Sequence, residues 1–69
     1  MTNIKINTEF IKLNQLLKWA NVVESGAAAN HMIVEGLVKV NGEIEIQKGK
    51  KIRVGDMVEV EKIGSFLVE

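Results

Sequence analysis

The chain has 69 residues, nine Lys and Arg balanced by nine Asp and Glu, 46% hydrophobic and 26% charged residues, the make-up of one small globular domain spanning residues 1–69. Such a domain buries only about 60% of its unfolded surface, which leaves no room for a second domain and little volume for a deep catalytic pocket. Cysteine is absent, excluding disulfides and thiol chemistry, and the longest apolar run is three residues, far short of the ~18–20 of a membrane span or the roughly 7–15 of a secretory signal core; a cytoplasmic protein is expected.

In chain order, Ile4 and Ile6 alternate with Lys5 and Asn7, the period of a short strand with one buried face. Thr8 can cap a helix, and Glu9 suits its positive end. Leu13, Leu16, Leu17 and Ala20 then recur at i, i+3, i+4, i+7. That stripe predicts a first helix over 9–20, with Lys12, Gln15 and Lys18 largely off it. Trp19, the single tryptophan, could stack on a base but reads better as a core or interface aromatic beside the stripe. Ser25 is the next N-cap, and Ala29, Met32 and Ile33 predict a second helix over 26–35. Gly36 then falls where a helix ends in a left-handed residue, with Leu37 following as C″ of a Schellman stop.

After Gly36 the chain reads as strand. Val38 and Val40 alternate with Lys39, and Asn41-Gly42 is a hairpin signal. A two-residue turn would set Val40 opposite Glu43 and Val38 opposite Glu45. A bulge or longer turn that sets Val40 opposite Ile44 keeps apolar residues on one face and is the expected register. Gly55-Asp56 marks a second turn between 52–54 and 58–60, and 66–68 is a last strand. This order predicts an α+β fold with two helices packed on one side of a small, curled antiparallel sheet.

Catalytic candidates are few. His31, the single histidine, lies off the buried stripe and reads as a solvated helix residue rather than a base or metal ligand. HExxH, paired-His, Walker and GxSxG patterns are missing. Gly26 and its three following alanines lack the second glycine and the lysine of a phosphate loop. Ser25 has no base partner, so capping explains it. Asp56 and Glu59 read as a turn former and a solvent-facing strand residue. No catalytic residue, metal site or cofactor is expected, and the chain does not read as an enzyme.

Charge is distributed unevenly. Lys48, Lys50, Lys51 and Arg53 put four cations in six positions with no acid, and acids flank this block on both sides. With Lys12 and Lys18 on the first helix and Lys39 pointing away from the Val38 and Val40 face, these residues could form one phosphate-binding surface. Against that stands a pI near 6.6, below the value of about 9 usual for a nucleic-acid-binding domain.

Lys12-Leu13-Asn14, Leu17, Ser25-Gly26, Ala29, Ile33, Gly36, Val38, Val40-Asn41-Gly42, Gly55-Asp56 and Val58 occur in an order and spacing that resembles the S4-type RNA-binding domain and its αL motif. The likeness covers about residues 10–60, and the segment Gly49-Lys50-Lys51-Ile52 is similar to the small stand-alone bacterial members. The resemblance implies non-catalytic binding of structured RNA, ribosomal RNA or a ribosome assembly intermediate. Carried over by position, it implies RNA contacts at Lys12, Ser25, Gly26, Asn30, His31, Lys39 and Asn41, to which the charge pattern adds Lys18, Lys48, Lys50, Lys51 and Arg53. The sequence is less basic than the pattern. Gly26 stands where arginine is frequent, though the stand-alone members commonly have glycine there. Asn30 stands where a basic residue is frequent, and Gln47-Lys48 where the stand-alone members often carry an arginine pair. Lysine meets phosphate as a point charge without arginine's fork, which implies modest affinity and recognition of shape over sequence. The alternatives are a protein-interaction adaptor and an accessory domain for an RNA-modifying enzyme, with a ribosomal or RNA-modifying protein as partner.

Overall fold

The computed structural model describes all residues, 1–69. The elements are β1 (Thr2–Ile4), β2 (Ile11–Lys12), α1 (Leu13–Trp19), α2 (Gly26–Val34), β3 (Val38–Val40), β4 (Glu43–Ile44), β5 (Lys51–Ile52), β6 (Met57–Val60) and β7 (Gly64–Val68). Five strands form one sheet in the order β1-β7-β6-β3-β4, while β2 and β5 form a separate ladder. The architecture is α+β, as the order of elements predicts. The main sheet is mixed rather than wholly antiparallel, because β1 runs parallel to β7. That pairing ties the two ends of the chain together, with both helices in the crossover between them.

Period-two alternation builds the core. Val38 and Val40 stand opposite Val60 and Val58, and Val58 stands opposite Phe66. Leu13, Leu16, Leu17, Ala29 and Ile33 of the helices join these side chains in one cluster. Every buried residue is apolar, and full burial of each Leu, Ile, Val or Phe contributes about 1.5–3 kcal/mol. Lys39 and Glu59 share the opposite, outer face of the sheet.

α2 is the predicted helix. The Ser25 hydroxyl accepts from the Ala28 N–H at 3.1 Å. At its other end Gly36 has φ 77°, its N–H donates to Ile33 at 3.0 Å and that of Leu37 donates to Met32 at 3.2 Å, the two bonds of a Schellman stop. α1 ends in the same motif with asparagine in the glycine's place. Asn21 has φ 59°, and the Asn21 and Val22 N–H groups donate to Lys18 and Leu17, each at 3.0 Å.

The start of α1 differs from the sequence expectation. The helix begins at Leu13, not near Glu9, because Ile11 and Lys12 are extended and pair with Ile52 and Lys51. Lys12 is therefore a strand residue at the N-cap position, without a side-chain cap. The Thr8 hydroxyl donates to the Phe10 carbonyl at 2.8 Å instead of capping the helix. The apolar stripe locates the helix but carries no information about a distant strand that claims its predicted first turn.

The hairpin register also differs. Val40 lies opposite Glu43 and Lys39 opposite Ile44, so the expected bulge does not form. Asn41 and Gly42 have φ 53° and 88°, the two left-handed residues of a tight two-residue turn whose twist suits the strands. β4 is an edge strand with both residues exposed. With no buried face to satisfy, turn geometry sets the register and leaves Ile44 on the outer face. The turn at Val54-Gly55 closes with the Asp56 N–H donating to Arg53 at 3.0 Å, but the strand before it pairs with β2, not with β6. Trp19 is 65% exposed, which removes the core reading of that residue.

Candidate nucleic-acid interface

The basic segment is bolted to the start of α1. Helix starts leave four N–H groups without intrahelical partners, and Lys12 supplies no cap. Leu13 and Asn14 donate instead to the carbonyls of Lys50 and Lys48, at 2.9 and 3.1 Å, and the turn between these carbonyls is closed by the Lys50 N–H donating to Gln47 at 3.2 Å. With its backbone held this way, the segment presents Lys48, Lys50, Lys51 and Arg53 to solvent.

β2 and β5 then set Lys12 directly opposite Lys51. Like charges in that position destabilise a ladder. The one contact within 4.0 Å between a basic and an acidic side chain lies elsewhere, between His31 Nε2 and Glu35 Oε1 at 3.8 Å, so no carboxylate lies within 4.0 Å of the Lys12, Lys18, Lys48, Lys50 or Lys51 ammonium. The Lys51 ammonium sits 4.9 Å from the centre of the Phe10 ring, a cation–π contact that orients the side chain while leaving its charge available. Lys18 lies in a shallow depression with Ile11, Gln15 and Trp19. The fold thus gathers Lys12, which comes from β2, with the loop lysines, and Ile11 of that same strand with Lys18.

The second group of candidates lies on α2. The Ser25 hydroxyl is committed to its cap, whereas the Gly26 and Ala27 N–H groups donate to no protein acceptor. A Cβ added at Gly26 would meet nothing within 4 Å. Asn30 Oδ1 accepts from Asn14 Nδ2 at 3.0 Å, tying α2 to α1, and the Asn14 Oδ1 is buried without a partner. His31 is 75% exposed at its side chain, beside Glu35.

Two candidates stand apart. Lys39 projects from the outer face of the sheet, opposite Glu59, away from the helices. Asn41 holds two turns together. Its Nδ2 donates to Asp56 Oδ1 at 3.1 Å and its Oδ1 accepts from the Met57 N–H at 2.9 Å. The other Asp56 oxygen accepts from the Arg53 N–H at 2.8 Å, so this network also fixes the end of the basic segment. Phe10 and Asn14 touch the candidate residues Lys51 and Asn30. The sequence marks Asn14 only as part of the Lys12-Leu13-Asn14 motif and Phe10 not at all, and because Lys51 and Asn30 are distant in the chain no local pattern announces either contact.

The S4 domain family matches residues 4–69. The chain belongs to the S4 domain family. The match extends beyond the stretch of about 10–60 that carries the resemblance and takes in all of β7, with Ile4 at the end of β1. A Bacillus subtilis (strain 168) protein named "Probable ribosome maturation protein RlbA" is 48% identical over 65 residues, 94% of this chain and 92% of that protein. No helix of this S4 protein is long and apolar enough to cross a membrane.

Proposed function

We propose that this protein binds structured RNA without catalysis, acting on ribosomal RNA or a ribosome assembly intermediate in the cytoplasm as one unit of residues 1–69. The observation that carries this reading is the opposition of Lys12 and Lys51 with no carboxylate within 4.0 Å of either ammonium group. An arrangement that destabilises the free ladder is relieved when a phosphate lies between the two ammonium groups. The family membership and the ribosome maturation role in the relative's name point the same way.

The mechanism is electrostatic. Lysines on β2, α1 and the basic segment neutralise phosphates and release counterions. The unpartnered N–H groups of Gly26 and Ala27, at the positive end of α2, offer a further phosphate position. Phosphate contacts fix orientation and carry no sequence information, so the surface reads the path of the RNA backbone.

The test is a salt titration of binding to a ribosomal RNA fragment by the wild type and by Lys50→Glu/Lys51→Glu. Three or four neutralised phosphates, at slopes of −0.7 to −0.9 each, predict a fall of roughly 20- to 150-fold in affinity from 50 to 200 mM salt. The double variant should bind more weakly to many RNAs alike, with a flatter slope. Equal slopes and affinities would remove the basic segment from the site and favour a protein-docking role.

A further inference from the structure

Trp19 is the last residue of α1. Beyond it the chain turns away through the Asn21 Schellman stop, so nothing folds over the indole. An aromatic of this size at 65% exposure is a large apolar surface left in water. It lines its depression with Ile11, Gln15 and Lys18. Gln15, Lys18 and Trp19 stand at i, i+3 and i+4, so they share one helix face. The four residues carry one cation, one amide and no carboxylate. The structure's cation–π contact is Lys51 over Phe10, so no cation occupies the indole face.

We propose that Trp19 is a stacking platform for one unpaired base of the bound RNA, with Lys18 meeting the phosphate of the same nucleotide and Gln15 its base edge. This inference rests on the RNA-binding reading above. A nucleotide joins a flat π surface to an anion, the two features this depression matches. The base must be unpaired, because bases inside a duplex already stack on their neighbours and protein aromatics reach those that are splayed out. A depression of four residues suits one base. It is small against the roughly 800 Å² per partner of a stable protein interface. Ile11 of β2 precedes Lys12 in the chain, so the platform and the basic ladder position meet at the same strand.

The test uses two RNA hairpins that differ only in a bulged adenosine, present in one and abasic in the other. Binding is read by titration and by the fluorescence of Trp19, the chain's single tryptophan. The bulged hairpin should quench the fluorescence, and the abasic one should not. Trp19→Leu, which keeps an apolar side chain but loses the π face, should weaken binding of the bulged hairpin by about 5- to 150-fold and leave the abasic one nearly unchanged. Trp19→Phe should retain most of the affinity, and because the indole is mostly exposed both variants should melt near the wild type. If Trp19→Leu binds both hairpins like the wild type while Lys50→Glu/Lys51→Glu still loses affinity, the platform is wrong and the RNA reading survives. If the wild type binds neither hairpin, the RNA reading fails and the platform fails with it. A loss on Trp19→Leu that is equal for both hairpins also overturns base stacking.

Discussion

At Gly36 the backbone takes φ 77°, and a Cβ added there would meet Ile44 Cγ2 at an ordinary 3.7 Å. The cost of Gly36→Ala therefore comes from left-handed strain alone, about 1–2 kcal/mol. In a domain of this size that lowers the melting temperature by roughly 4–16 °C. Thermal denaturation checks it, and an unchanged midpoint would mean that the helix end tolerates a side chain without strain. Gly36 was legible in the sequence because its role is local: a glycine after an apolar helical stripe. Asn41 shows the other case. Its place in an Asn-Gly turn was legible, but its bonds to Asp56 and Met57 depend on a second turn coming alongside. No spacing rule announces that, and a polar residue marked as an RNA contact is also a cross-link within the fold.

The two helix starts differ in the same way. Ser25 caps α2 from the adjacent position, so the sequence marks the boundary directly. α1 is capped by carbonyls of Lys48 and Lys50, which reach it only after the chain has folded back. A local reading therefore starts that helix too early and assigns Lys12 to it. The open α2 start gives a prediction at this scale. Gly26 has room for a side chain and no positive φ. An arginine there would gain up to about 1 kcal/mol of helix propensity over glycine. The unfavourable placement of a cation at a helix N-terminus, about 0.3–1 kcal/mol, largely offsets that gain. Gly26→Arg should thus leave stability nearly unchanged and add one phosphate contact, steepening the salt dependence by about 0.7–0.9. A salt titration of the variant with the same RNA fragment reads this. A slope equal to the wild type's would place the start of α2 off the RNA path.

Across the whole molecule, a net charge of zero conceals a partition. Glu43 on β4, Glu59 on β6 and Glu61 in the turn after it lie with Lys39 and Lys62 at one end of the sheet, while the loop lysines gather with Lys12 against the start of α1 with no acid among them. The pI argued against a nucleic-acid partner only because summation erases position. Whether Lys39 joined this surface depended on which face of the sheet the helices cover, which lies beyond any reading of charge runs. The partition links stability to binding. The uncompensated lysines repel one another in the free protein, and RNA that binds only the folded state stabilises it by mass action. At a free RNA concentration of about 100 Kd the gain is about 2.7 kcal/mol, which corresponds to a rise of roughly 10–20 °C in melting temperature for a domain this small. Lys50→Glu/Lys51→Glu should melt at or slightly above the wild type without RNA at low salt, because the repulsion is relieved. At the RNA concentration that saturates the wild type, most of the rise should be lost. Paired melts with and without the ribosomal RNA fragment separate these effects. A variant that keeps the full RNA-dependent rise would show that the stabilising contacts lie away from the basic segment, whatever its charge.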